Sequence, residues 1–437
     1  MGYSLGIDFG TSGARAMVID HQDQVLAEAS YRFPDLSPEE RTDCWQEILW
    51  ALIGEIPADV RSHLQAIAIN GTSSTILLCD AEGKPLYPPQ MYNDTCDPAS
   101  LELLTTLAPA GHPVLSASSS LAKLLGMSRT VDMTSVCYLM HQADWLAFLL
   151  HGRVGLSDDH NSLKLGYDPA LGQDRSTSRG RAIPTDLVGY PDWFHQPPLN
   201  QLLPLLPQVI RPGSNIGPLQ PHLVDRFGIP STCQICAGTT DSIAAFIASG
   251  ANQPGMAVTS LGSTLVLKLL SPTRIDLADY GIYSHRLGKY WLVGGASNTG
   301  GAVLQSFFSP SELTELSQHI DPHQPSSLTY YPLLKPGERF PINDPCLEPQ
   351  LTPRPEDPVE FLQGLLESLA RIEAQGYHLL VAHGAPPLKV VYTAGGGAQN
   401  IVWQTIRQRH LQVPCYAAQH QQAAYGTALL AAHGSPL

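Results

Sequence analysis

The stretch Leu5–Asp20, LGIDFGTSGARAMVID, restricts the fold of this chain more than any other. An apolar run carries one carboxylate, Asp8, and stops at a glycine. It turns through Thr11, Ser12 and Gly13 and resumes as a second apolar run. The pattern predicts two strands joined by a small polar turn. Such a turn presents backbone N–H groups and hydroxyls, which suit phosphate oxygens. A carboxylate at the strand end repels phosphate unless a cation lies between them. Asp8 beside this turn therefore points to Mg2+, held directly or through water and bridging to a nucleotide. The plain alternative is a surface hairpin with an aspartate at its turn.

The pattern returns in the second half of the chain as GMAVTSLGSTLVLKLL, residues 255–270, with Gly262, Ser263 and Thr264 in the turn. Two halves built alike are expected. A third glycine-rich turn, TAGGGAQN at 393–400, joins a strand pattern to a helix pattern. Its glycines leave room for a flat ring or a phosphate against the backbone. None of the three is a P-loop or a dinucleotide fingerprint. AGTTDS, residues 237–242, places Asp241 in a polar turn that opens a helix. There it either caps the helix or acts as a general base toward a substrate hydroxyl.

With 437 residues the chain is long enough for two cores, and with 43% apolar and 15% charged residues it reads as globular. Strand patterns cover residues 4–33, 64–75 and 76–80; a helix pattern covers 44–56, and residues 100–150 read as helical, with Gly152 as a stop. Residues 155–230 and 307–358 read as loop-rich. A long helix pattern at 359–377, a strand ending in the third turn, a helix from about Ala398, and a final strand and helix close the chain. This alternation predicts an α/β protein with helices packed on mixed sheets. The two polar turns of the two halves are expected to face one another across a cleft.

The formal net charge of −14 argues against nucleic acid and anionic membrane as partners. No long uninterrupted apolar run predicts a membrane span, and no leader peptide is read at the start. Cys233 and Cys236 form a CxxC, but no second pair completes a zinc site, so reduced buried cysteines and a cytosolic protein are expected.

These motifs together resemble the FGGY carbohydrate kinases, which share a fold class with actin, hexokinase and the Hsp70 ATPase domain. The resemblance rests on GIDFGTSGARAMVID, AGTTDSIAAF, SLGSTLVLK, GGASNTGGAV and TAGGGAQNIVWQ, in the family's order and over nearly the whole chain. It implies a two-domain actin-like (ribonuclease H-like) fold with a cleft between the domains. An N-terminal sugar-binding domain would span 1–247 and an adenosine-binding domain 248–420, with helix 421–437 packing back on the first. It further implies Asp241 as catalytic base and Asp8 as the residue serving Mg2+ and the transferred phosphoryl group. ATP would be bound by Thr11, Ser12, Gly13, Gly262, Ser263, Thr264, Gly396, Gly397 and Asn400, with Trp403 beside the base. Ser73 would contact the sugar, together with Asp8 and Asp241.

NGTSSTILLCD, QADWL, HNSLKLGYDP and CQICAGTTDS are similar to the compact, xylulose-kinase-like cyanobacterial and plant members that look like D-ribulose kinases. The expected reaction is transfer from ATP to the terminal hydroxyl of D-ribulose, giving D-ribulose 5-phosphate. D-Xylulose or another polyol or ketose is the alternative acceptor. A conformational ATPase of the actin or Hsp70 kind is the alternative from another class. The chain keeps Lys123 of the family's first signature but has Gly126 where an aromatic residue is usual, and the second signature, PVEFLQGLLESLA, is present in outline.

Overall fold

The computed structural model describes residues 2–171 and 189–434. The loop-rich reading of 155–230 and the end of the 421–437 helix reading therefore fall partly outside the described residues. The chain divides into two compact units, Met1–Ala248 with Gln422–Pro436, and Ser249–Gln421.

In the first unit the strands are β1 (Tyr3–Phe9), β2 (Gly13–Ile19), β3 (Val25–Arg32), β4 (Leu64–Gly71), β5 (Ile76–Cys79), β6 (Tyr138–His141), β7 (Leu156–Asp158), β8 (Gln208–Ile210), β9 (Asn215–Pro218) and β10 (Gln234–Thr240). Six of them form one sheet in the order β3-β2-β1-β4-β10-β9. Strands β1, β4 and β10 are parallel; β2, β3 and β9 run against their neighbours. Strands β5/β6 and β7/β8 form two small pairs.

Burial follows position. Edge strand β3 alternates between half-buried and exposed residues, whereas β1 is almost continuously buried because both faces of the sheet are covered. Along β2, Ala14, Ala16 and Val18 enter one core while Met17 and Ile19 enter another, as the two-residue period of a strand requires. The helix Arg41–Glu55 buries Trp45, Ile48, Leu49, Leu52 and Ile53, a stripe at helical spacing that packs into the first of these cores. Each such fully buried aliphatic side chain contributes about 1.5–3 kcal/mol.

The helix Ala423–His433 returns from the far end of the sequence and lies on β1, β2 and β4 and on the helix Asp241–Ala248. Glycines permit this approach. A Cβ on Gly6 would fall 2.1 Å from the Ala424 carbonyl oxygen, and one on Gly426 would fall 1.9 Å from that of Ala244.

Three local readings of the sequence differ from the structure. Residues 100–150 contain β6 as well as helices Pro98–Leu107, Ser120–Ser128 and Gln142–His151. Strand β4 ends at Gly71, because residues Thr72–Thr75 turn instead of extending. Strand β10 passes directly into the helix at Asp241, with no intervening turn. Cys233 and Cys236 are buried free thiols in two different apolar clusters.

The second unit contains β11 (Met256–Leu261), β12 (Leu265–Ser271), β13 (His285–Leu287), β14 (Tyr290–Ala296), β15 (Val390–Ala394) and β16 (Cys415–Ala417) in the order β13-β14-β12-β11-β15-β16. The helix Pro358–Ala382 supplies much of its core. The final helix of this unit begins at Ile401 rather than at Ala398, because Gly396–Gln399 make a 3-10 turn and Asn400 caps the helix Ile401–Leu411. Among the described residues, no helix is long and apolar enough to cross a membrane.

The close approach at Gly6 generates a test. Gly6→Ala should destabilise the first unit by about 2–3 kcal/mol, read as an earlier urea midpoint in far-UV circular dichroism. An unchanged midpoint would show that the C-terminal helix does not lie against β1.

Candidate active site

Strand register positions the first site. Asp8 on β1 is paired with Arg15 across β2 and with Asn70 across β4, and Asn70 is paired in turn with Thr239 on β10. Asp8, Asn70 and Thr239 therefore lie level at the carboxyl ends of three parallel strands, where open α/β sheets bind ligands. Asp241 follows β10 by one residue and opens the helix Asp241–Ala248. Its Oδ1 accepts a hydrogen bond from the Ser242 N–H at 2.6 Å. The helix N-terminus favours a carboxylate at this position.

The two carboxyl groups are close enough to interact. Burial is the main cause that lifts Asp8 from 3.8 to about 7, the charge of Asp241 adds to it, and Arg15 and a hydrogen bond from Asn70 oppose it. Asp8 Oδ1 is buried without a hydrogen-bond partner. The Asn70 side chain is itself anchored, its Nδ2 donating to Thr427 Oγ1 at 2.6 Å. Arg15 and Asn70 were not singled out from sequence. Arg15 nevertheless stands inside the opening motif, two residues after Gly13, which is the spacing that keeps a side chain on one face of a strand.

Thr11 and Ser12 are exposed at the tip of the β1–β2 turn. The turn is closed by Gly10 N–H donating to the Gly13 carbonyl at 3.0 Å. Gly13 has a structural reason to be glycine, since a Cβ there would fall 2.3 Å from the Tyr31 carbonyl oxygen.

Ser73 is half-buried in the turn Thr72–Thr75 that follows β4. The Thr75 N–H donates to the Thr72 carbonyl at 3.2 Å. Gln142 Oε1 accepts from both the N–H and the hydroxyl of Thr72, each at 3.0 Å. Beyond it, Ser120, His141, Asp144 and Ser157 form a buried hydrogen-bonded network. His160 Nδ1 is 2.7 Å from Thr239 Oγ1, beside the strand end that leads to Asp241.

The second unit presents its own pair of turns. Between β11 and β12, Gly262 and Thr264 are half-buried and Ser263 is exposed. The carbonyls of Gly262 and Ser263 accept from Gly301 N–H at 2.8 Å and Ala302 N–H at 3.1 Å. The GGASNTGGAV motif thus braces this turn, and a Cβ on Gly301 would fall 2.7 Å from the Gly262 oxygen.

In the glycine triplet, Gly396 is exposed with open space around its Cβ position. Gly397 sits on the Trp403 ring, 2.6 Å from where its Cβ would be. Trp403 is only 3% exposed and belongs to the core. It supports the triplet from below, and its ring has no free face for stacking on a base. Asn400 caps the helix Ile401–Leu411 through Trp403 N–H at 2.9 Å and donates to Ser317 Oγ at 2.8 Å. A buried network fixes both strands behind these turns. Arg407 pairs with Glu373 through two bonds of 2.7 Å and donates to Thr393 Oγ1 at 2.6 Å, and Glu373 accepts from Thr259 Oγ1 at 2.5 Å.

Among the described residues, no group of three or more His, Cys, Asp or Glu side chains is arranged to hold a metal. The donor set available for Mg2+ is therefore one carboxylate with an unpartnered buried oxygen, raised in pKa by burial and a second carboxylate. That suits a cation which keeps several waters and takes its remaining ligands from phosphate.

Comparison with known proteins covers both units. Residues 3–129 match the N-terminal domain of the FGGY family of carbohydrate kinases, and residues 257–435 match its C-terminal domain. The xylulose kinase of Lactococcus lactis is 22% identical over 430 residues, covering 92% of this chain and 81% of that protein. Among solved structures, xylulose kinase from Rhodospirillum rubrum superposes with a TM-score of 0.82 at 20% identity, over 99% of this chain and 90% of that one. Plasmodium falciparum glycerol kinase with ADP superposes with a TM-score of 0.80 at 16% identity, over 99% and 89%. The fold is the two-domain actin-like ATPase fold, and the protein belongs to the FGGY family of carbohydrate kinases, enzymes that transfer a phosphoryl group from ATP to a sugar.

Proposed function

We propose that this kinase phosphorylates the terminal hydroxyl of a ketopentose, with D-xylulose as the first candidate acceptor. The observation that carries the reading is the juxtaposition of Asp8 and Asp241 at the carboxyl ends of the parallel strands. The choice of D-xylulose over D-ribulose, the acceptor expected from sequence, rests on the relatives: the xylulose kinase of Lactococcus lactis aligns with 92% of the chain.

In this reading Asp241 takes the proton from the acceptor hydroxyl, and the resulting oxygen attacks the γ-phosphorus in line with the leaving ADP oxygen. Asp8 holds Mg2+, which when bound neutralises charge on the phosphates. Arg15, across the hairpin from Asp8, faces the same developing negative charge. Thr11, Ser12 and Gly13 offer N–H groups and hydroxyls to the phosphates, as do Gly262, Ser263 and Thr264. Gly396, Gly397 and Asn400 shape the adenosine side, and Trp403 acts by holding Gly397 in place. Ser73 offers a hydroxyl to the sugar.

Three measurements test this. Asp241→Asn should lower sugar-dependent ADP release by about 10²–10⁴-fold while ATP binding, followed by calorimetry, persists; near-wild-type turnover would remove Asp241 from the base role. In a panel of ketopentoses and polyols, kcat/KM for D-xylulose should exceed that for D-ribulose, and the reverse order would restore D-ribulose as acceptor.

The third measurement concerns stability without metal. The unfolded chain ionises Asp8 near 3.8, but the folded chain keeps the proton until about 7. Folding is therefore progressively penalised as pH rises through this window, and the full penalty applies above it. Asp8→Asn should raise Tm by about 2–6 °C at pH 8 in EDTA, with the gain disappearing toward pH 4. A loss of stability at pH 8 would contradict the strained carboxylate.

A further inference from the structure

Lys123 is a lysine that the reaction described above does not use. It lies in the helix Ser120–Ser128 and is 1% exposed. Its Nζ donates to two main-chain carbonyls, that of Ser74 at 2.5 Å and that of Met91 at 2.7 Å. Among the described residues its ammonium makes no ion pair with a carboxylate. A buried ammonium spent on backbone oxygens is costly, and burial pulls it down from 10.5 to about 7. Such an arrangement needs a reason in what those carbonyls belong to.

Ser74 occupies the third position of the Thr72–Thr75 turn with φ of 66°. In a type II turn this position needs a positive φ and normally takes glycine. Serine pays a conformational penalty there. Its hydroxyl offers no return, because Ser74 Oγ is buried with no hydrogen-bond partner. The turn is held from outside at two points. Gln142 grips its start, with Oε1 on Thr72 and its own N–H donating to the Thr75 carbonyl at 3.0 Å. Lys123 grips its far side at the Ser74 carbonyl. Met91, whose carbonyl takes the other Lys123 bond, is fixed in a turn of its own by Asp94, which accepts from the Met91 N–H at 2.7 Å. Lys123 therefore ties the Thr72–Thr75 turn to a second, braced turn.

We propose that Lys123 is a positioning residue for the sugar: by holding the Ser74 carbonyl it keeps the strained turn in the one conformation that presents Ser73 to the acceptor. This rests on the acceptor reading of Ser73 above. Lys123 does not touch ATP in this account, so its loss acts on sugar binding and leaves nucleotide binding alone. A glycine at 74 adopts the same backbone without strain, so it should make the lysine dispensable.

The experiment measures ADP release against sugar and against ATP for wild type, Lys123→Met, Ser74→Gly and the double variant. Lys123→Met removes two charge-assisted hydrogen bonds and should raise KM for the sugar about 10–100-fold, with KM for ATP unchanged. Ser74→Gly alone should stay within about threefold of wild type, and the double variant should recover about tenfold of the lost sugar affinity. The proposal is overturned if Lys123→Met moves both KM values alike, or if Ser74→Gly restores nothing. Should Lys123→Met not accumulate as folded protein, Lys123→Gln replaces it. If no lysine variant folds, with or without Ser74→Gly, Lys123 is a core-stability residue and the positioning role is refuted. A wild-type enzyme that phosphorylates no ketose or polyol would instead defeat the acceptor reading itself.

Discussion

A carboxylate shielded from water beside another carboxylate is the constraint on which the first unit depends. Asp8 can occupy that position only because its neighbours are fixed. Arg15 faces it across the hairpin and Asn70 across the parallel ladder. Asn70 is held by Thr427, on a helix that arrives from the end of the chain. That helix can reach β1 because Gly6 and Gly426 leave the contact free of side chains. The link from Asp8 to Asn70 to Thr427 therefore makes the last helix part of the electrostatic support of the first strand. In the proposed metal role of Asp8, its remaining unfavourable energy would give a divalent cation something to gain on binding.

The second unit repeats the geometry and omits the charge. In both units a strand–turn–strand hairpin is followed by a parallel partner for its first strand: β1/β2 with β4, and β11/β12 with β15. Asp8-Phe9-Gly10 corresponds to Ser260-Leu261-Gly262. A Cβ on Gly10 would lie 4.0 Å from Asp8 Oδ2, and one on Gly262 would lie 3.9 Å from Ser260 Oγ. One hairpin thus carries a carboxylate and its twin carries a hydroxyl in the same place. In the proposed phosphate-binding role of these turns, one anionic group would suffice to hold a cation, and a second would only add repulsion. In place of a charge at its tip, the second unit carries a buried ion pair behind it. Removing either Arg407 or Glu373 would strand its partner without solvent, at a cost of about 3–5 kcal/mol.

Much of this was legible in the chain itself. The β1–β3 meander shows in the apolar runs and the small turns between them, and Gly152 closes its helix in the left-handed conformation, at φ 74°. The family resemblance was carried by motifs that lie at strand ends, where backbone geometry leaves little choice of residue. What the sequence concealed was tertiary. Tyr138–His141 is too short and too close to a helical pattern to read as a strand; it forms because Ile76–Cys79 offers it an edge. Thr72–Thr75 has strand-like composition and turns because Gln142 and Lys123, far along the chain, hold it. Trp403 looked like a ligand-facing aromatic and is a packing residue, a distinction that only burial makes. Arg15 and Asn70 show no signal of their own; their importance is a matter of register.

If Ser73 contacts the acceptor as proposed, the character of the Thr72–Thr75 turn also bears on the class of acceptor. Of its four side chains only Ser73 is half-buried, while Thr72, Ser74 and Thr75 are buried, and the lysine that touches it, Lys123, is 1% exposed with its Nζ donating to two carbonyls. An acceptor with a carboxylate at this end would need a cation free to meet it, and Lys123, buried and donating to two carbonyls, is poorly placed to do so. A neutral polyol needs only donors and acceptors, and leaves no uncompensated charge when water is displaced. With Ser73 in its proposed role, the turn suits a neutral ketose better than a sugar acid. On that reading, discrimination between two ketopentose epimers is left to the placement of single hydroxyls.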